Sequence, residues 1–149
     1  MLKIGDKLPA FSCLDDKGNT ITQENFKGKK VVLFFYPRAN TPGCTAQACN
    51  LSENYKRLTD AGYSIFGVSA DQVKHQASFS NKFGFPYPLL ADTEKTLVNS
   101  FGVWGFKKFM GKEYEGILRT TFVFDENCII TRVIEKVKTK DHTSQILDE

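Results

Sequence analysis

The feature that most constrains the fold is an unbroken apolar run over residues 31–36, which ends at Pro37. A run of this length without a polar position is typical of a strand that is covered on both faces. Further along the chain, apolar side chains recur every three or four positions, at Ala48, Leu51, Tyr55 and Leu58. This spacing predicts a helix that begins near Pro42 or Gly43, so a buried strand leads through a short turn into a helix.

Cys44 falls in the first turn of this predicted helix. Several backbone N–H groups lack intrahelical partners there, and the aligned peptide dipoles present about half a positive charge. This setting favours a thiolate, which is the nucleophilic form of cysteine. An arbitrary free cysteine is more often a small, inert, buried residue, but the Thr41 hydroxyl and a second cysteine at position 49 favour a reactive Cys44.

The residues around Cys44 closely resemble those of a known enzyme family. The segment reads Thr41-Pro42-Gly43-Cys44-Thr45, and Pro37, Thr41 and Cys44 have the spacing Pro-x-x-x-Thr-x-x-Cys. These motifs are similar to those of the peroxiredoxins, and in particular of the PrxQ group, also called bacterioferritin comigratory protein. The similarity runs from Gly5 to about Lys138.

The resemblance implies which residues carry the chemistry. It makes Cys44 the cysteine that attacks the peroxide, and Cys49, five positions further on, the cysteine that resolves the oxidised form. Arg119, which precedes Thr120-Thr121-Phe122, matches the active-site arginine of the family. The implied catalytic residues are therefore Cys44, Cys49, Thr41 and Arg119, and the implied peroxide-binding residues are Pro37, Pro42 and Gly43.

The spacing of the two cysteines sets a condition on the resolution step. In an intact helix, residues five apart lie about 140° round the axis, with their Cα atoms roughly 8–9 Å apart. A disulfide tolerates at most about 7 Å between Cα atoms. We therefore expect the first turns of this helix to unwind before Cys49 can bond to Cys44.

Length and composition exclude several other classes of protein. The 149 residues fit a single domain over 1–149, and the net charge of +3 lacks the dense basic stripe of a nucleic-acid-binding protein. No stretch approaches the ~20 apolar residues of a membrane span, and the first residues lack the apolar core of a signal peptide. We therefore expect a cytoplasmic protein with reduced thiols. The 4 cysteines include no C-x-x-C pair, so we expect no zinc site, no other metal and no cofactor.

The order of the predicted elements indicates the fold class. A turn at residues 15–19 joins two short strands, and the strand over 31–36, the Cys44 helix and a second buried strand over 64–69 form a strand-helix-strand unit. The further predicted elements are a helix over about 71–83 with Gly84 as its C-cap, a short helix near 94–101, a long loop, a hairpin of 121–124 with 129–135, and a final helix near 143–147. The pattern alone predicts an α/β fold, and the resemblance implies a thioredoxin-like fold with extra N-terminal strands and an inserted helix.

The other candidate residues are assigned ordinary structural roles. Cys13 and Cys128 have no counterpart in the family motif and are interpreted as structural. His75 and His142 form no metal pair or triad, so both are expected to be exposed to solvent. Trp104 is expected at the base of the long loop, whose lysines are expected to be solvated.

The sequence thus indicates a thiol-dependent peroxidase for hydrogen peroxide and small organic hydroperoxides. The resemblance implies that thioredoxin or a similar dithiol protein regenerates it. Charge and composition, as noted above, predict neither nucleic acid nor a membrane as a partner. We expect a monomer, with a weak dimer as the alternative. Two other functions stay open: a general disulfide oxidoreductase, which a C-x-x-C motif would favour, and a redox switch or chaperone-like binding protein that uses the same disulfide. Repeated peroxide turnover distinguishes an enzyme from a switch.

Overall fold

The computed structural model describes residues 1–148. Its strands are β1 (Ser12–Asp15), β2 (Thr20–Thr22), β3 (Lys30–Phe35), β4 (Tyr63–Ser69), β5 (Leu89–Ala91), β6 (Trp104–Phe109), β7 (Lys112–Ile117), β8 (Thr120–Phe124) and β9 (Ile130–Ile134). Its helices are α1 (Pro42–Glu53), α2 (Tyr55–Asp60), α3 (Val73–Phe83), α4 (Thr96–Phe101) and α5 (His142–Leu147), with a 3₁₀ turn at Gln23–Phe26.

A seven-stranded sheet in the order β2-β1-β5-β4-β3-β8-β9 organises the molecule, and β6 pairs with β7 in a separate two-stranded sheet. Strands β3 and β4 are parallel neighbours joined through α1 and α2, whereas β8 runs antiparallel to β3. The predicted α/β class, the strand-helix-strand unit and the later hairpin of β8 with β9 are confirmed. Within residues 1–148, no helix is long and apolar enough to cross a membrane.

The central strand β3 divides the core into two layers. Its side chains point alternately to the two faces of the sheet, and those of residues 31–35 are fully buried. Val32 and Phe34 pack in the layer beneath α1, α2 and α3, together with Cys44 and Leu51. Val31, Leu33 and Phe35 pack in the opposite layer, which is rich in phenylalanine. The apolar run of the sequence is therefore continuous because both faces of this strand are covered.

The N-terminal hairpin of β1 and β2 is confirmed, and its turn has a local cause. The Asp15 carboxylate accepts hydrogen bonds of 2.9 Å from the backbone N–H groups of Lys17 and Asn19. Gly18 occupies the left-handed region with φ +79°, where glycine is favoured. This hairpin extends the sheet through pairing of β1 with β5.

The helix that carries the stripe from Ala48 to Leu58 is interrupted, which the sequence analysis did not predict. Asn54 separates α1 from α2 with φ −106° and ψ 17°. Its side-chain amide donates to the carbonyl of Asn50 at 2.8 Å, in competition with backbone hydrogen bonding. The apolar spacing continues across this break, so periodicity alone could not reveal it. The C-cap at Gly84 is confirmed, with φ +66°.

The predicted long loop before β8 is wrong, because β6 and β7 form an antiparallel hairpin there. Met110 and Gly111 at its tip both have positive φ, +52° and +79°, as the tight turns of two-residue hairpins require. The Met-Gly pair is not the usual Asn-Gly signal for such a turn. Trp104 accordingly lies on a strand rather than at the base of a loop, and the Lys95 ammonium lies 4.4 Å from its ring centroid.

The two histidines differ in their surroundings. His75 is exposed, as expected. The prediction for His142 is wrong, because its side chain is completely buried. Its Nε2 atom lies 2.8 Å from the Thr121 hydroxyl, and its Nδ1 atom lies 2.8 Å from Oε1 of Gln145. Burial lowers the pKa of His142 to about 4. A single polar residue in a short terminal helix carries no sequence signal of such burial.

Candidate active site

Cys44 lies in the first turn of α1, as predicted, and its side chain is 1% exposed. Thr41 is the N-cap in an extended conformation, and Pro42 occupies the first helical position, where its missing N–H costs no hydrogen bond. The first helical hydrogen bond joins the Thr45 N–H to the Thr41 carbonyl at 2.8 Å. The sulfur is therefore held at the positive end of the helix and largely shielded from water.

Arg119 connects the sulfur to the next turn of the same helix. Its Nη2 atom donates to the Cys44 sulfur at 3.4 Å, and its Nη1 atom donates to Oε1 of Gln47 at 2.7 Å. Because residues three apart share a helix face, Cys44 and Gln47 present their acceptors to the two prongs of one guanidinium. The structure thus brings together the predicted Cys44 and Arg119.

Gln47 was missed by the sequence analysis. It is fully buried, and its Nε2 atom has no hydrogen-bond partner among the described residues. The available signal was a polar residue three positions after the reactive cysteine, on the face that the apolar stripe assigns to the core. Its position supports a role in orienting Arg119.

Gly43 leaves room for the guanidinium at the start of α1. A Cβ atom built on Gly43 would lie 3.2 Å from Nη2 of Arg119, which is tighter than ordinary van der Waals contact. A side chain here would therefore have to displace the guanidinium by a few tenths of an ångström, whereas glycine allows its close approach. Its backbone conformation is ordinary.

The turn before α1 is fixed by hydrogen bonds. The Thr41 hydroxyl donates to the carbonyl of Arg38 at 2.9 Å. The Ala39 N–H donates to Oδ2 of Asp71 at 2.8 Å, and the same oxygen accepts from the Ser69 hydroxyl at 2.6 Å. The loop that carries Thr41 is thereby tied to the end of β4. Because its hydrogen is used, the Thr41 hydroxyl retains its lone pairs for an incoming donor.

A cleft of about 710 Å³ opens beside these residues. Pro37, Thr41 and Arg119 line one side, and the β6–β7 hairpin lines the other through residues that include Trp104, Lys107, Tyr114 and Ile117. The predicted substrate-binding Pro37 thus faces the cleft, whereas Pro42 and Gly43 form the helix start next to it. The segment that was predicted to be a long loop is therefore a hairpin that forms one wall of the cleft.

Lys107 is the second residue that the sequence analysis missed. Its ammonium donates to the Ile117 carbonyl at 2.9 Å, which joins the two strands of the hairpin inside the cleft. Its pKa is lowered chiefly by burial, and also by the positive charge of Arg119. The predicted solvated loop gave no reason to place this cation near the reactive cysteine.

Cys49 lies in the same intact helix as Cys44, and both thiols are free. Its side chain is half-buried against the core layer that contains Cys44. Burial, with a smaller contribution from the Glu53 charge, raises the pKa of the Cys49 thiol. In this conformation Cys49 is a packing residue, and the helix keeps it apart from Cys44.

The other two cysteines pack in the opposite layer of the core. Burial, followed by the charges of Asp92 and Asp15, raises the pKa of Cys13 to about 12. Cys128 is buried, and burial raises its pKa as well. Both surroundings favour inert thiols, in agreement with a structural role. Within residues 1–148, no group of three His, Cys, Asp or Glu side chains is placed to hold a metal ion.

Comparison with known proteins identifies the family of the chain. The model of the AhpC/TSA family matches residues 4–133. The chain belongs to the AhpC/TSA family. Among curated relatives, the Escherichia coli K12 protein named peroxiredoxin Bcp is 40% identical over 147 residues, which cover 99% of this chain and 94% of that relative.

Solved structures of similar proteins agree with this placement. A cysteine-to-serine mutant of Xylella fastidiosa PrxQ superposes with a TM-score of 0.92 at 28% identity, covering 99% of this chain and 94% of the other. The bacterioferritin comigratory protein of Xanthomonas campestris, described for its alkyl peroxide reduction activity, has a TM-score of 0.85 at 32% identity, covering 93% and 88%. The resemblance to the PrxQ group and the thioredoxin-like fold are confirmed.

Proposed function

We propose that Cys44 is the peroxide-attacking residue of this peroxiredoxin, acting on hydrogen peroxide and small organic hydroperoxides. The Cys44 thiolate attacks one peroxide oxygen, so that an S–O bond forms while the O–O bond breaks. Sulfur is oxidised to sulfenic acid, and the departing oxygen takes up a proton to leave as water or an alcohol. The alkyl peroxide reduction described for the Xanthomonas campestris relative supports this substrate class.

The observation that carries the proposal is the contact of 3.4 Å between the Cys44 sulfur and Arg119 at the start of α1. A permanent cation and a helix N-terminus both stabilise the thiolate. The same donors stabilise the negative charge that develops on the departing oxygen. Gln47 orients the guanidinium for both tasks through its 2.7 Å hydrogen bond.

The proposed binding of the peroxide uses the turn before α1. The Thr41 hydroxyl, which donates to Arg38, can accept the hydrogen of the hydroperoxide. The backbone N–H groups of Gly43 and Cys44 lie in the first helical turn and can donate to its oxygens. Pro37 and Pro42 limit the access of water to the sulfur.

We further propose that Cys49 resolves the sulfenic acid, since it is the free cysteine on the same helix. Its thiol displaces the hydroxyl of the Cys44 sulfenic acid, so that an S–S bond forms and water leaves. A dithiol protein such as thioredoxin would return both cysteines to thiols by exchange. Because Cys44 and Cys49 stand five residues apart in the intact α1, the helix has to open for this step.

Peroxide consumption coupled to NADPH through thioredoxin and its reductase tests the proposal. Wild-type protein should turn over repeatedly, Cys44→Ser should lose all peroxide consumption, and Arg119→Ala should slow the first oxidation by about 10²-fold. Cys49→Ser should consume one equivalent of peroxide and accumulate sulfenic acid at Cys44, and with excess peroxide a second equivalent should convert it to sulfinic acid, as mass spectrometry would show.

Different outcomes would contradict separate parts of the proposal. Full turnover by Cys44→Ser would eliminate Cys44 as the nucleophile. A disulfide from Cys44 to Cys13 or Cys128 would replace Cys49 as the resolving residue. A single oxidation without turnover, with any dithiol reductant, would favour the redox switch.

A further inference from the structure

The residue directly after Cys49 joins α1 to α5. The Asn50 side chain donates from Nδ2 to the Lys140 carbonyl at 3.1 Å and accepts at Oδ1 from the Thr143 N–H at 2.8 Å. The Asn50 carbonyl also accepts from the Thr143 hydroxyl at 3.3 Å. One asparagine thus uses its side chain and its backbone to hold the start of a helix that is distant in sequence.

Helix α5 is itself held firmly against the sheet. Arg132 on β9 donates to the carbonyls of Gln145 and Ile146 at 2.6 and 2.7 Å. The Ile146 side chain is 1% exposed and packs in the same core layer as α1. His142, buried at the first position of α5, is hydrogen-bonded to Thr121 of β8. Helix α5 is therefore held in place by these contacts, and it binds α1 at Asn50, the residue that follows Cys49.

This arrangement opposes the motion that resolution requires. A disulfide between Cys44 and Cys49 needs the helix between them to unwind. Unwinding past Cys49 displaces the backbone of Asn50, so its hydrogen bonds to Lys140 and Thr143 must break or stretch. Each hydrogen bond that must break on opening lowers the population of the open conformation.

We propose that Asn50 is a positioning residue for Cys49, which through α5 sets how fast the sulfenic acid of Cys44 is resolved. This inference rests on the proposed resolving role of Cys49. Two reactions compete for the sulfenic acid: the Cys49 thiol forms the disulfide and releases water, whereas a second peroxide adds oxygen and yields sulfinic acid and water or an alcohol. By holding α1 closed, Asn50 shifts the outcome toward sulfinic acid as peroxide rises.

The test compares Asn50→Ala with wild type and with Ile130→Val as a matched control. Ile130 is buried in the opposite core layer, so its shortening lowers stability without touching α1 or α5. Arg132→Met is a second variant, because it frees α5 from β9 and leaves Asn50 in place. The fluorescence of Trp104, the sole tryptophan, follows both steps after rapid mixing with peroxide, and mass spectrometry measures disulfide and sulfinic acid.

Asn50→Ala should speed disulfide formation by roughly tenfold, from the loss of its side-chain hydrogen bonds. The peroxide concentration that gives half-maximal sulfinic acid should rise by a similar factor, and the first oxidation should change less than twofold. Arg132→Met should shift both quantities in the same direction, and Ile130→Val should shift neither.

An unchanged rate of disulfide formation in Asn50→Ala and Arg132→Met would overturn the inference and leave the role of Cys49 intact. An equal shift in Ile130→Val would overturn it too, because general instability would then be the cause. If wild type cycles without any Cys44–Cys49 disulfide, the resolving role of Cys49 and the inference both fail.

Discussion

At the scale of single residues, the site depends on how closely Arg119 approaches the start of α1. The guanidinium donates hydrogen bonds to the Cys44 sulfur and to Gln47. It lies close to the backbone of Gly43, which has no side chain to displace it. Displacement by a few tenths of an ångström would lengthen a contact to sulfur that is already 3.4 Å. Catalytic geometry is sensitive to shifts of this size.

Gly43→Ala should therefore change activity and stability in opposite directions. The added methyl group pushes Arg119 away from Cys44, and we expect the rate of the first oxidation to fall about tenfold. Alanine in a helix is about 0.5–1 kcal/mol more favourable than glycine, so the melting temperature should stay equal or rise. Rapid-mixing kinetics and thermal unfolding measure the two effects. A variant that loses rate and stability together would indicate general disruption of α1.

At the scale of elements, α1 is held on both sides of Cys49. The Tyr87 hydroxyl donates to the Ala48 carbonyl at 2.7 Å, while Asn50 connects to α5 on the other side. Opening of α1 for the proposed Cys44–Cys49 disulfide must release both contacts. The reduced and oxidised forms should then differ in α5 as well as in α1.

Amide hydrogen exchange on the two redox forms should show this difference. Oxidised wild type, with the Cys44–Cys49 bond confirmed, should exchange faster than reduced protein over residues 43–50 and in α5. Cys49→Ser treated with one equivalent of peroxide should retain protection in both segments, because no disulfide pulls α1 open. Equal protection in the two wild-type forms would mean that α1 reaches the disulfide without unwinding.

The elements that sequence predicted well are those with local causes. The continuous apolar run specified β3, and Gly84 ended α3 where a left-handed residue was needed. The β6–β7 hairpin was missed because its turn is the unusual pair Met110 and Gly111. Gln47 and His142 owe their burial to partners far away in sequence, at Arg119 and Thr121. Local spacing places Gln47 on the core face of α1 but cannot reveal Arg119 as its partner, and it gives no signal for the burial of His142.

At the scale of the whole molecule, the buried His142 makes stability depend on pH. Its pKa is about 4 in the folded protein against an ordinary 6.5, because burial penalises the charged form. Well above pH 6.5 the imidazole is neutral in both states and has no effect on stability. As pH falls from 6.5 to 4, His142 becomes protonated in the unfolded chain but stays neutral in the folded protein. The free energy of unfolding therefore decreases, by roughly 3 kcal/mol at most.

His142→Gln should remove this contribution. Chemical unfolding of both proteins at several pH values measures it, and the difference between wild type and variant should change between pH 6.5 and 4 and stay constant above. Glutamine retains a polar group for Thr121 but does not titrate, so it is the matched replacement. A difference that is flat over the whole range would show that His142 becomes protonated in the folded state at its ordinary pKa.

The division of the core into two layers also separates the four thiols. Cys44 and Cys49 pack on one side of the sheet, whereas Cys13 and Cys128 pack on the other. The sheet therefore separates the pair of thiols proposed to form the disulfide, Cys44 and Cys49, from a second pair proposed to take no part in it. Through any number of turnovers, alkylation of the unfolded chain should recover this second pair of thiols in constant amount. The molecule thus carries an internal standard against which its own oxidation can be counted.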